Sequence, residues 1–336
     1  MMDFSEVKKN YSWLGISYLV FTVVAELAAL LIKYVVGSID SSIMDNSWLL
    51  YLLGLAPIWV AGFPLCLLCL KKLPAKKPED NKIKFRDMLQ LYCIITFLAI
   101  AANMVGLTIT SAIEKLTGLT IQNTTIDIVN EQELLPTIIF AVIIGPILEE
   151  LAFRKVLIDK LGQYNKSYTI ILSGLMFGLF HTNLYQFFYA TIIGIMFAYI
   201  YTISGRIRYS MILHTCLNFI HGVIPIILMK LTDIDAFKSL LEEGTSNPEV
   251  QEKMLDFYSD PGFLLFMAYA YALFAIVIAG FVLVIIWIIK KKFNVDESES
   301  ILPYEKAPNA VFGNIGFILF TVTIIGITIY EIIQLQ

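Results

Sequence analysis

LLPTIIFAVIIGPILEELAFRKVLI, residues 134–158, is apolar along most of its length, yet it holds Glu149 and Glu150 side by side, followed by Arg154 and Lys155. Crossing a hydrocarbon layer of about 30 Å takes about 20 residues of helix, so the block is long enough to span. An ionisable group inside that layer costs about 2.5–3.5 kcal/mol even on lenient insertion scales, which makes adjacent carboxylates the mark of a polar site. The stretch therefore reads as a membrane helix carrying a buried reactive group.

Eight similar blocks surround it, giving nine in all: about 11–36, 48–70, 88–112, 134–158, 167–183, 186–203, 209–229, 263–289 and 311–332. Of the 336 residues 58% are hydrophobic and 15% charged, against about 25% charged in soluble chains, which excludes a soluble protein. Lipid leaves no free backbone group satisfied, and the blocks lack the alternation of barrel strands, so they must be helices. The expected fold is an all-α polytopic membrane bundle of about nine transmembrane helices. Residues 1–294 form the membrane-embedded core with its N-terminal accessory spans; residues 295–336 form a cytoplasmic linker and an accessory last span. The first block is too long for a signal-peptide core and no small-x-small cleavage site follows it, so it reads as a retained span. Cys66, Cys69, Cys93 and Cys216 all fall in spans, where a thiol behaves as a small apolar group. A net charge of −4 leaves no nucleic-acid footprint.

Lysines and arginines alternate between the linkers. Segments 71–87, 154–166, 204–208 and 290–310 are basic, as is the N-terminus, whereas the alternate linkers hold only Lys115, Lys230, Lys238 and Lys253. The positive-inside rule then puts the N-terminus in the cytoplasm and the C-terminus outside, in an integral protein of the plasma membrane. In the acidic stretch from Thr232 to Pro261, the pattern of Ile234, Phe237, Leu240 and Leu241 suggests a short amphipathic helix at the membrane surface.

The chemistry concentrates between residues 140 and 222. On a helix Glu150 and Arg154, four apart, share a face and can pair, while Glu149 is turned about 100° away. One carboxylate is thereby neutralised and the other left free, which makes Glu149 the candidate base. The chain's three histidines lie in the same region: His181 after Phe177, His214 four residues before Asn218, and His221 beyond them. His214 and Asn218 at this spacing aim two polar groups at one point. Carboxylate, imidazole and amide together can activate water, hold it and stabilise an oxyanion, the parts acyl hydrolysis requires.

Glu149-Glu150-x-x-x-Arg154, Phe177-x-x-x-His181 and His214-x-x-x-Asn218, in this order on successive spans, resemble the motifs of the CPBP family, the CAAX protease and bacteriocin-processing (Abi) enzymes. The resemblance implies an intramembrane endopeptidase whose chamber is reached from the cytoplasmic side. It assigns water activation to Glu149, water orientation to His181, the oxyanion site to His214 and Asn218, and support to Glu150, Arg154 and Phe177. Ala190, Gly194 and Ala198 resemble the family's small-residue motif, which in any membrane helix permits close approach. His221 falls outside the pattern, and its expected role is hydrogen bonding behind the site. No cofactor is expected. Zinc held by Glu149, His181 and His214 is the alternative, disfavoured because Asn is a poor zinc ligand and no His-x-x-x-His pair is present. The partners implied are membrane lipids and a peptide or lipidated-peptide substrate. A transporter and a non-catalytic immunity or scaffold protein remain as other readings, although no inverted repeat favours transport.

Overall fold

The computed structural model describes residues 3–39, 46–121, 133–232, 253 and 257–334. Residues 234, 237, 240 and 241, where a surface helix is expected, lie outside the described set. Among the described residues the chain is all helical, as expected. Eight helices are long and apolar enough to cross a membrane: α1 (Phe4–Ile39), α2 (Ser47–Leu70), α3 (Phe85–Thr117), α4 (Leu134–Leu161), α6 (Leu184–Ser204), α7 (Ile207–Leu231), α8 (Pro261–Ile289) and α9 (Ile315–Gln334). The ninth, α5 (Lys166–Phe180), has 15 residues, roughly 22 Å at 1.5 Å per residue, shorter than a 30 Å layer. All nine expected blocks are thus helical among the described residues, eight of spanning length and the fifth shorter. Local sequence cuts α5 short: Asn165 caps its start by accepting from the Tyr168 N–H at 3.0 Å, and it stops before Thr182, whose φ of 49° is left-handed.

Three spans contain a π-helical turn that ends two residues before a proline: Pro57–Gly62 before Pro64, Ile138–Ile144 before Pro146, and Asn218–Val223 before Pro225. Proline has no N–H and its ring collides with the carbonyl four residues back, so the preceding turn widens and that carbonyl row loses a donor. In lipid such a carbonyl must be satisfied from a neighbouring helix. The π register pairs each residue with the one five before it, as Gly145 N–H does with Phe140 O and Ile224 N–H with Phe219 O. The carbonyls that Pro146 and Pro225 would have bonded are therefore those of Ala141 and Ile220. Asn218 Nδ2 donates to Ala141 O at 3.0 Å, and Tyr269 Oη donates to Ile220 O at 3.1 Å. A fourth π turn in α4, Leu151–Val156, is closed the same way: Tyr18 donates to Ala152 O and Ser173 to Phe153 O, both at 2.6 Å.

Helices α5 and α6 form a hairpin packed through small residues. A Cβ at Gly194 would lie 2.9 Å from Gly174 Cα, so the two backbones touch there, the close approach expected of the 190–194–198 pattern. The hairpin packs on α3, α3 on α8, and α4 on α7. Aromatic rings join α1, α2, α4 and α5: Tyr18 to Phe153 at 5.5 Å, Phe153 to Phe177 at 5.4 Å, and Phe21 to Phe180 at 4.9 Å and to Trp59 at 5.9 Å between ring centres. Such tilted pairs add about 0.5–1.5 kcal/mol each beyond area burial.

The basic linkers gather on one face. Lys76 N–H bonds Asp159 O at 2.7 Å, Asn81 N–H bonds Ser204 O at 2.8 Å, and Leu302 N–H bonds Tyr164 O at 2.8 Å. Segment 295–302 is thereby strapped across the turn before α5. Its Glu297 carboxylate accepts from the N–H groups of Lys166 at 3.0 Å and Ser167 at 2.6 Å, capping α5 from another part of the chain. The last span returns to the first: Lys8 reaches Asn309 at 2.7 Å, Ser12 accepts from Gly316 N–H at 3.1 Å, and α9 lies along α1.

Partial burial pushes the Glu297 carboxyl up, but hydrogen bonds from Ser167, Ser300 and Lys166 outweigh it and hold the group below the ordinary glutamate value of 4.5. A depressed carboxyl stabilises the fold above that value and loses the contribution as pH falls through its own lower one. Glu297→Gln should therefore lower the stability at pH 7 by the worth of a helix cap, about 1 kcal/mol, and with it the unfolding midpoint. The gap between native and variant should narrow as pH drops from 6 towards 3 in thermal melts. A gap that is constant with pH would show that the ionised carboxylate is not the cap.

Candidate active site

The middle of α4, Gly145–Glu150, is a single α-helical turn between two π turns, and it carries both glutamates. Glu150 is sealed: its side chain and that of Arg154 are each 0% exposed, and they pair at 3.1 Å. The Arg154 guanidinium lies over the Phe177 ring at 4.3 Å and near Phe197 at 5.6 Å, so aromatic faces from α5 and α6 replace water around the cation. Nε and Nη1 of Arg154 and Oε2 of Glu150 find no protein hydrogen-bond partner among the described residues.

His214 on α7 stands between the two acids. Its Nδ1 is 3.2 Å from Glu150 Oε1, and its Nε2 is 3.7 Å from Glu149 Oε2. A carboxylate only accepts, so the Nδ1 hydrogen belongs on the Glu150 side and the tautomer is set. Both acids lie beside one imidazole, because His214 occupies the cleft that their angular separation opens. Their surroundings still differ. The Glu149 side chain is 25% exposed, and its 3.7 Å separation from Nε2 is longer than a direct hydrogen bond.

His181 caps the C-terminal end of α5. Its Nδ1 bonds Phe177 O at 2.8 Å, and its ring stands edge-on to Phe177 at 4.7 Å. The same Phe177 ring meets His214 edge-on at 5.9 Å, so one phenyl group separates the two imidazoles. Glu149, His214 and Arg154 all lie within electrostatic reach of His181. The first and third motifs thus make direct contact, and the second joins them through Phe177.

Asn218 does something the spacing argument missed. Its Nδ2 is held by Ala141 O, the carbonyl that Pro146 leaves without a donor. One amide hydrogen is used there and one remains. His221 also has a different address: it bonds Tyr92 at 3.2 Å and Thr96 at 3.5 Å, both on α3. Residues that sequence reasoning did not single out include Phe197, whose ring lies 5.0 Å from His214, and Tyr189, which lies within the field of Glu149. In an apolar span, an aromatic residue gives no sign of such a role. Glu331 on α9, also unremarked, bonds Thr182 and faces Glu26 of α1. Among the described residues no three His, Cys, Asp or Glu side chains are gathered as a ligand set for a metal ion. His181 would have to move for Glu149, His181 and His214 to ligate zinc together.

With the geometry in place, comparison with known proteins bears on it directly. Residues 131–220 match the family model described as Type II CAAX prenyl endopeptidase Rce1-like. That span contains Glu149 through Asn218 and ends before His221. Over 84 residues the chain is 34% identical to the protein named "Putative membrane peptidase YdiL" of Bacillus subtilis (strain 168), covering 24% of this chain and 34% of that protein. The alignment thus spans about a third of that relative's length. No solved structure gives a significant match. Both matches fall in with the resemblance drawn from the motifs.

If Asn218 stands in for the hydrogen that Pro146 lacks, the two residues are energetically coupled. Asn218→Ala should destabilise the detergent-solubilised protein by about 1–3 kcal/mol, the cost of a bare buried carbonyl. In a Pro146→Ala background, which restores a backbone donor, the same substitution should cost much less. Thermal unfolding of the four proteins in a double-mutant cycle measures this. Simple additivity would mean that Asn218 does not serve that carbonyl.

Proposed function

We propose that the chain is an intramembrane endopeptidase that hydrolyses a peptide bond in a membrane-associated or lipidated peptide, using water activated by Glu149. The observation that carries this reading is the contrast between the two glutamates. Glu150 is fully buried and bound to Arg154 and His214, so it is occupied structurally. Glu149, partly accessible and beside His214 Nε2, is free to take a proton. In this reading a water molecule near Glu149 gives up a proton as its oxygen attacks the scissile carbonyl. The same proton then passes to the leaving amine. His181, whose Nδ1 is bound to Phe177 O, presents Nε2 to the water. The remaining amide hydrogen of Asn218 is the neutral donor for the oxyanion. With Nδ1 donating to Glu150, His214 adds a second donor through Nε2 when its ring is doubly protonated.

An apolar groove of about 380 Å³ supports a substrate with an apolar segment or lipid tail. It runs between the ends of α3 and α9 and the α5–α6 turn, and Leu179 and Thr182, which flank His181, line it. The basic linkers on one face support a cytoplasmic N-terminus in the plasma membrane, by the positive-inside rule.

Glu149→Gln should abolish cleavage, by at least about 10²-fold, while the protein still folds and inserts. Glu150→Gln should instead cost stability, about 3–5 kcal/mol, because it strands a buried arginine. The readouts are processing of a substrate captured by Glu149→Gln and identified by peptide mass spectrometry, and thermal melts. Undiminished processing by Glu149→Gln would overturn the reading. Activity lost to a chelator and restored by zinc would replace it with the metal-dependent version.

A further inference from the structure

On the basic face, away from the glutamates, a polar cavity of about 430 Å³ is lined by Lys77, Asp80, Lys155, Tyr201, Arg206 and Arg208. Its four cations come from three separate parts of the chain: the α2–α3 linker, the end of α4 and the α6–α7 turn. Arg206 pairs with Asp80, and Lys155 pairs with Asp159 at 3.1 Å. Lys77 and Arg208 are in no ion pair among the described residues, although Asp80 lies within electrostatic reach of both; four cations against the carboxylates of Asp80 and Asp159 leave the cavity with a net positive charge.

Its walls are preformed. The linker is pinned by Asn81 N–H on Ser204 O at 2.8 Å, and the Tyr209 hydroxyl accepts from Ile83 N–H at 3.3 Å. Gly205, at φ 61°, makes the turn, and the carbonyls of Pro78 and Glu79 press against it so closely that no side chain would fit. Helix α7 starts at this wall with no side chain capping it, so its first N–H groups add to the positive field. The turn joins the ends of two spans and therefore sits at the level of the lipid headgroups, where basic pockets between transmembrane helices bind anionic heads.

We propose that this cavity binds a phosphate group, supplied by the headgroup of an anionic phospholipid, at the basic face of the membrane. Two unpaired cations approaching from different sides suit a tetrahedral anion with several oxygens, and arginine forks match phosphate geometry. Lys155 directly follows Arg154, so an occupied cavity would tie the end of α4 to the linker and to α7. The proposal does not depend on the peptidase reading, because binding is measured without turnover.

Full-length protein in a neutral detergent would be titrated with dihexanoyl-phosphatidylglycerol, dihexanoyl-phosphatidylcholine and inorganic phosphate, with adducts counted by native mass spectrometry and unfolding midpoints followed in parallel. Phosphatidylglycerol should bind about ten-fold or more tightly than phosphatidylcholine. The double variant Lys77→Gln, Arg208→Gln should weaken it by about twenty-five-fold, since each such cation is worth roughly a factor of five. Arg208 also lies over the Tyr209 ring at 5.4 Å, so the lipid-free midpoint of Lys77→Gln alone, which should stay unchanged, is followed beside that of the double variant. Inorganic phosphate that binds and displaces the lipid would keep the phosphate site but make its natural ligand soluble; failure to compete would favour the lipid. Equal binding of the two lipids by the native protein, or native affinity in the double variant, would overturn the proposal.

Discussion

Hydrocarbon has no hydrogen bonds to offer, so a carbonyl whose donor has been replaced by proline must find another donor or be left bare at a cost of several kcal/mol. That constraint shapes this bundle. Pro146 lies three residues before Glu149; it widens the turn ahead of it and leaves Ala141 O to be met by Asn218 from α7. The second π turn of α4 begins directly after Glu150 and is closed by Tyr18 and Ser173. The single regular turn carrying both glutamates is thus clamped at each end by side chains from three other helices. Nonspecific van der Waals packing would let a helix slide or rotate in lipid. Directed bonds to individual carbonyls fix both its rotation and its depth, and with them where Glu149 points.

The buried ion pair does related work. Arg154 and Glu150 are out of reach of solvent, and burying such a pair is seldom a net gain over apolar side chains of the same size. Its value here is exclusivity. Glu150 Oε1 is met by both the guanidinium and the His214 imidazole, so only one of two adjacent carboxylates is left uncommitted. A guanidinium suits the position better than an ammonium would, since its flat face can rest on Phe177 while its edge meets the acid. Phe177 then separates His181 from His214 and sets the width of the chamber. The phenyl ring is as much a part of the site geometry as the ionisable groups around it.

Spans, membrane class and the polar set were legible because each depends on composition over a window: nine apolar blocks, and charges where charges are costly. The pairing of Glu150 with Arg154 was legible too, since spacing along one helix fixes which side chains are neighbours. What could not be read was between helices. The spacing of His214 and Asn218 says that they share a face, yet their partners are an acid and a carbonyl at different heights of α4. That difference arises from Pro146 and the wider turn before it, a departure from 3.6 residues per turn that no periodicity argument includes. For His221 the sequence suggested hydrogen bonding behind the site but not its partners, Tyr92 and Thr96 on α3, whose neighbourhood is set by the packing of distant spans. The length of α5 was misjudged by a few residues because a β-branched residue, Thr182, takes the left-handed conformation that ends it.

The shortness of α5 gives the last span and its linker a purpose. A helix that crosses the bilayer has its depth set by matching apolar length to hydrocarbon thickness. A helix of 15 residues does not, and so His181 at its end would have no defined level unless something outside the helix held it. Glu297, from the linker, binds the first N–H groups of α5. At the other end α9 lines the groove beside the His181 turn, and Glu331 bonds Thr182. The segment that follows α8 therefore grips α5 at both ends, while Gly174 against Gly194 holds its side to α6. On this view residues 295–334 replace the bilayer as the ruler that places His181 level with Glu149, which explains why a span outside the motif region packs where it does.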